Sequence, residues 1–310
     1  MLRLITIALV SISTFAICQK WSEPQVIGRL DNTVLNETSG IAISQIYDDR
    51  MYNLNDSGSG PEIFWTTLTG KNTKKVKINN FRPYDMEDMS LGPCGEQKCV
   101  YIADIGDNKK KRKFLSVVAL NEAKLKDDTK EIDPEFVLRL VYPNKEKYDA
   151  ESMVVHPSGD IYILTKIVDE ENRRAMPAKL FKIEKEKIQE GVKKEEKMEL
   201  KEVAIIDLPF HLYNYNLWGR IATAMDISKD GKTLLVLTYG AVFEFNIEFN
   251  SLAEFNSRKL EAKTDFRIVR TKELPQQEAI AYGPKDNEFI YTTEVESGDG
   301  VSEIVRHVCE

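Results

Sequence analysis

Asp85-Met86-Glu87-Asp88-Met89-Ser90-Leu91 is one of five related stretches in this chain. The others are Glu37-Thr38-Ser39-Gly40-Ile41-Ala42-Ile43, Asp149-Ala150-Glu151-Ser152-Met153-Val154-Val155, Ile221-Ala222-Thr223-Ala224-Met225-Asp226-Ile227 and Gln276-Gln277-Glu278-Ala279-Ile280-Ala281-Tyr282. In each, positions that carry or replace a carboxylate lead into a short apolar run with strand character. The starts lie 48, 64, 72 and 55 residues apart. A unit recurring at this length points to a propeller or array.

Each repeat continues in the same way. A turn such as Ser158-Gly159-Asp160 or Lys229-Asp230-Gly231 follows the first strand. A second β-rich run comes next, for example Ile161-Tyr162-Ile163-Leu164, then an alternating third such as Val242-Phe243-Glu244-Phe245. Four repeats have a fourth, and the last runs out of chain at its third. Gln25-Val26-Ile27-Gly28-Arg29-Leu30 is otherwise unassigned and can supply the missing strand, protecting the sheet edge. The expected fold is all-β: a five-bladed β-propeller closed by an N-terminal strand, filling residues 19–310 as one domain. Six blades would require a hidden repeat. The widest gap instead holds a Lys- and Glu-rich stretch from Glu184 to Glu202, expected to be a solvated helical insertion.

Composition bounds the function classes. The 310 residues are 42% hydrophobic and 30% charged, ordinary for a globular chain with a core. A net charge of −7 argues against nucleic acid as partner. Residues 1–18 read as a secretory signal: Arg3, an apolar run from Leu4 to Ile17, and small residues at Ala16 and Cys18. Acylation of Cys18 is the weaker alternative, because Ile17 is bulky. No segment suits a membrane span. The expected setting is secreted or periplasmic, and a monomer is expected. Cys94 and Cys99 flank a tight loop and should form a disulfide, leaving Cys309 unpaired.

Propeller topology then places the chemistry. The first strand of each blade starts at one face, and the loop after the second strand returns to it. Ser39, Glu87, Glu151, Thr223 and Glu278 occupy equivalent positions at this channel mouth. Glu37, Asp85, Asp149 and Gln276 lie one residue pair further out. The loops Asn55-Asp56-Ser57-Gly58 and Asp104-Ile105-Gly106-Asp107-Asn108 add carboxylates and amides. Such carboxylates cannot all stay ionised without compensation. A hard cation is one solution, and calcium suits a flexible oxygen set. A nearby Lys166 or Arg220 is a second, and raised pKa values are a third. Turn capping by these side chains is the competing reading. The basic run Lys109-Lys110-Lys111-Arg112-Lys113 reads as a solvated loop.

The quoted stretches, with Tyr101-Ile102-Ala103 before the Asp104 loop and Pro275 before Gln276, resemble the exported phytase-like or esterase-like propellers and the related SdiA-regulated family. Met86 departs from the Trp more typical before Glu-Asp. The resemblance spans nearly the whole mature chain. It implies a propeller with an acidic, calcium-binding mouth and implies no particular reaction. Two functions follow as expectations. In a calcium-dependent ester, lactone or phosphoester hydrolase, Glu87, Glu151 and Glu278 hold the metal and Asp85 or Asp149 is the base. Glu37, Asn55, Asp56, Asp104, Asp107 and Asn108 then contact the ligand. The alternative is a non-catalytic propeller binding a small molecule or protein at the same face.

Overall fold

The computed structural model describes residues 18–56, 58–172, 174–208, 217–247, 252, 256, 261, 264–272, 274–285, 287–295 and 300–310. It is a five-bladed β-propeller. Blade one runs Thr38–Ile43, Met51–Asn55, Glu62–Thr66 and Lys74–Ile78. Blade two runs Met86–Cys94, Gln97–Asp104, Leu115–Asn121 and Phe136–Val141. Blade three runs Ala150–Val155, Ile161–Thr165, Ala178–Ile183 and Lys201–Ile206, and blade four Ala222–Ile227, Thr233–Thr238, Val242–Asn246 and Phe266–Val269. Blade five uses Gln277–Tyr282, Glu288–Thr293 and Glu303–Val308, and Gln25–Arg29 completes it. The six-bladed alternative is excluded. The widest gap is filled by a hairpin, Val168–Asp169 with Arg174–Ala175, and by the helix Lys185–Lys194.

The blades are held by the faces between them. Side chains alternate along a strand, and both faces of each sheet are covered, so second strands read as continuous apolar runs. Tyr52 and Leu54 pack with Val100 and Ile102 between blades one and two. Tyr101 and Ala103, one residue out of step, pack with Met153 and Ile163 of blade three. Three more clusters fill the remaining junctions. The innermost strands touch in cyclic order, and the fifth meets the first. Two outer edges gain a short parallel strand from the following connection. Glu131–Ile132 covers blade one, and Lys197–Glu199, just after the helix, covers blade two.

Ring closure is covalent as well as hydrogen-bonded. Gln25 pairs Arg306, and Arg29 pairs Glu303. Gly28 is needed there, because a Cβ would sit 2.2 Å from the Thr69 carbonyl oxygen. Upstream, Ser22 N–H donates to Val308 O (2.8 Å), and Trp21 stacks edge-on against Phe289. Cys94 and Cys99 form the expected disulfide. Cys309, expected free, is instead bonded to Cys18. The sequence reading assigned Cys18 to the leader and so left Cys309 without a partner. The N-terminal strand brings the two cysteines to the same blade edge, with Cα atoms 5.4 Å apart. A leader ending at residue 18 would take Cys18 with it, so the bonded form requires any cut to lie upstream. Apart from Cys18, the expected signal segment, residues 1–18, lies outside the described residues. Two disulfides are typical of exported proteins. Among the described residues, no helix is long and apolar enough to cross a membrane.

Candidate functional site

Each innermost strand carries a β-bulge at the same place. Pairing with the second strand skips Ser39, Glu87, Glu151, Thr223 and Glu278. A bulge adds an unpaired residue and re-aims its side chain. The five positions grouped by the sequence are therefore five bulge residues. At four blades the loop after the second strand closes onto the residue leading into the bulge. Asp56 N–H donates to Glu37 O (2.8 Å), Gly106 to Asp85 O (3.2 Å), Lys166 to Asp149 O (2.8 Å) and Glu294 to Gln276 O (2.9 Å). Asp56, Gly106, Lys166 and Glu294 thus sit beside the mouth carboxylates.

The crowded charge is handled differently blade by blade. In blade three Lys166 forms a buried ion pair with Glu151. Burial pushes the Glu151 carboxyl up to about 7 against the pull of Lys166. Burial opposes charge on Lys166, but Glu151 more than offsets it and raises the ammonium's pKa. In blade five, Tyr239 Oη–H donates to Glu278 Oε1 at 2.8 Å. Burial and a hydrogen bond with Glu294 push Glu278 up to about 10, so it is held protonated. Gln276 Nε2 donates to Glu294 Oε2 at 2.8 Å. Ser39 and Thr223 are committed elsewhere. Their hydroxyls donate to Met86 O (3.1 Å) and Gln277 O (2.7 Å) of the next blade.

Blade two is different. Asp56, Asp85 and Glu87 each offer a carboxylate oxygen, and these oxygens lie within 4.8 Å of one another. Neither Asp85 nor Glu87 forms an ion pair among the described residues. Gly106 makes the approach feasible: a Cβ there would fall 2.2 Å from Glu87 Oε1 and 2.5 Å from Asp85 Oδ2. Burial, then the Asp56 and Asp149 charges, push Asp85 up to about 7. Burial and the Glu151 charge raise Glu87 well above the usual carboxylate range. Asn55 adds a buried Oδ1 without a partner among the described residues, while its Nδ2 donates to Val34 O (2.8 Å).

The remaining predicted residues divide. Asp149 belongs to the mouth: its Oδ1 accepts Asp107 N–H (2.8 Å), and burial raises its pKa. Asp104 caps Tyr84 and Asp85 through their N–H groups (2.9 and 2.7 Å) and forks with Arg112 (2.7 Å at Nη2). Asp107 accepts the N–H groups of Lys111 and Arg112. These two carboxylates are occupied in shaping the loop. Asn108 is exposed, and Glu37 is half-buried at the rim. Arg220 pairs with Asp207 (2.6 Å) and leaves the mouth carboxylates to Lys166. Arg112 was read as part of a solvated run, yet its side chain folds inward.

Gly106 was quoted within the Asp104 loop but not as the residue that admits the two carboxylates, and Tyr239, which follows a second strand as Lys166 does, was not singled out by sequence. Asp88 was quoted without a role. It is fully buried and its carboxylate spans three blades, accepting N–H from Met89 (2.8 Å), Met153 (2.8 Å) and Met225 (3.4 Å).

The chain matches no protein-family model and no curated protein. Solved structures with related folds include the PQQ-bound aldose sugar dehydrogenase of Streptomyces coelicolor, 11% identical over 94% of this chain and 99% of that one, TM-score 0.46. A putative oxidoreductase (glucose dehydrogenase) of Thermus thermophilus is 10% identical over 92% and 99%, TM-score 0.48. Hydrazine synthase of Kuenenia stuttgartiensis is 14% identical over 83% and 68%, TM-score 0.44. Likeness at this level says nothing about activity.

Proposed function

We propose that the propeller mouth is a calcium site that holds a small anionic ligand. The observation that carries the reading is the cluster of Asp56, Asp85 and Glu87, with Gly106 beside it. Two oxygens bound to one calcium, each about 2.4 Å away, lie at most about 4.8 Å apart. The donor set is all oxygen, and the partnerless Asn55 Oδ1 adds a neutral donor close by. Glu151 and Glu278 have other commitments, to Lys166 and Tyr239, so they border the site. When bound, the ion supplies positive charge against which a ligand oxygen can rest. Lys166 adds a fixed charge on the blade-three side.

A hydrolytic version gives the base role to Asp149, with Asp85 taken up by the cluster. It is favoured by one observation: Asp149 has a raised pKa and is oriented by the Asp107 N–H. Esters, lactones and phosphoesters are the substrate classes. The finer resemblance to phytase-like and esterase-like propellers agrees with this chemistry but has no family model behind it.

Calorimetric calcium titration tests the site. One ion should bind the wild type and raise its melting temperature. Gly106→Ala should weaken binding at least tenfold, because the added methyl forces two carboxylates apart. Glu87→Gln should abolish it, whereas Glu151→Gln should retain it. No calcium-dependent change in the wild type would sink the reading. Turnover of p-nitrophenyl acetate, a simple lactone or p-nitrophenyl phosphate, lost in Asp149→Asn with calcium binding intact, separates catalysis from binding.

A further inference from the structure

A second hollow opens on the outer part of blade two, between the loop after Asp107 and the turn that follows Val141. Its volume is about 380 Å³, within the range of small-molecule sites. The floor is apolar: Phe114, Leu115, Leu140 and Val141. Above it stand Lys113, Lys145, Lys147 and Lys197, none in an ion pair among the described residues. Lys197 Nζ lies 5.3 Å from the centre of the Phe114 ring, and the Arg139 guanidinium lies 5.6 Å from it. Arg112 and the four lysines outnumber the three acidic residues of the lining, Asp107, Glu146 and Glu199. Both Asp107 oxygens are taken by backbone N–H groups, and Glu146 reaches toward Lys179 at 3.9 Å.

Tyr142 also lines the hollow. It is 5% exposed, and its hydroxyl oxygen is buried away from the surface of the hollow. Four unpaired lysines over an apolar floor, in a chain of net charge −7, are not explained by the propeller fold.

We propose that this hollow is a binding site for an amphipathic organic anion: a flat apolar body on Phe114 and Leu140, and one carboxylate, sulfonate or phosphate head among the lysines. The Phe114 ring and aliphatic neighbours take up the body. The lysine ammoniums supply donors for the head. The site shares the Asp107 loop with the mouth but needs no metal.

Fluorescence titration with 8-anilinonaphthalene-1-sulfonate tests it on the full chain, with neutral N-phenyl-1-naphthylamine as the uncharged counterpart. The sulfonate should bind saturably at one per chain and at least tenfold more tightly than the neutral amine. Lys145→Ala/Lys197→Ala should weaken the sulfonate at least tenfold and leave the neutral amine unchanged. Lys126→Ala/Lys130→Ala, on exposed positions elsewhere, should change neither. Titrations in calcium and in chelator should coincide. Four results would overturn the proposal: no saturation, equal affinity for both probes, no effect of removing Lys145 and Lys197, or sulfonate binding that disappears with chelator. The last would assign the probe to the mouth. Near-UV circular dichroism of each variant confirms that the comparison is made on folded protein.

Discussion

At the scale of single residues, the mouth shows three answers to one electrostatic problem. Glu151 is matched by a lysine, Glu278 keeps its proton, and Asp85 and Glu87 face each other across a glycine. The Lys166–Glu151 pair offers a direct check. Lys166→Met should cost about 3–5 kcal/mol at pH 8, where Glu151 would otherwise be left charged and buried. At pH 5 the cost should be much smaller, because the unpaired carboxyl then takes a proton. Adding Glu151→Gln should restore most of the loss. Urea unfolding of the three proteins at both pH values measures this, and equal losses at the two pH values would refute it.

At the scale of elements, the bulge organises both mouth and channel. It moves Glu87 out of the pairing pattern and leaves the next residue, Asp88, among the innermost strands. The surrounding equivalents are small: Gly40, Ser152, Ala224 and Ala279. A Cβ on Gly40 would come within 2.9 Å of Asp88 backbone atoms. Asp88 therefore pins blade two to blades three and four through backbone donors. Asp88→Asn turns one acceptor into a donor facing those N–H groups. It should destabilise by about 2–3 kcal/mol, the cost of leaving buried donors unmatched. A shift in the urea midpoint worth less than about 0.5 kcal/mol would show that Asp88 is no pin.

At the scale of the whole molecule, the raised carboxyl pKa values set how stability depends on pH. Asp85 and Glu151 are held at about 7 and Glu278 at about 10. In the unfolded chain such groups return to about 4. The folded state thus binds more protons over that interval, and stability must fall as pH rises through it. Calcium-free protein should be most stable near pH 5 and lose stability steadily to pH 8 and beyond. Calcium should flatten the decline, since the ion replaces protons at Asp85 and Glu87. A chelated protein whose urea midpoint rises between pH 5 and pH 8 would contradict the assignment. Ring closure adds a separate contribution. The Cys18–Cys309 bond joins residues 291 apart, and the chain-entropy model values such a crosslink at roughly 6 kcal/mol.

Blade number, strand order and the closing N-terminal strand were legible in the sequence because they rest on local signals. Two-residue alternation, turn residues and a recurring acidic lead-in survive in a linear reading. The short Cys94–Cys99 loop was legible for the same reason. What each mouth residue does was decided only in three dimensions. Sequence places Glu87, Glu151 and Glu278 in one class, since they occupy one position in three repeats. A neighbouring loop separates them: Gly106 leaves room beside Glu87, Lys166 pairs with Glu151, and Tyr239, from the preceding blade, donates a hydrogen bond to Glu278. Cys309 likewise found its partner only because ring closure carries residue 18 to the far end of the chain. A repeat fixes which positions are equivalent, but partners across the ring come from chain segments whose distance in sequence says nothing of their distance in space.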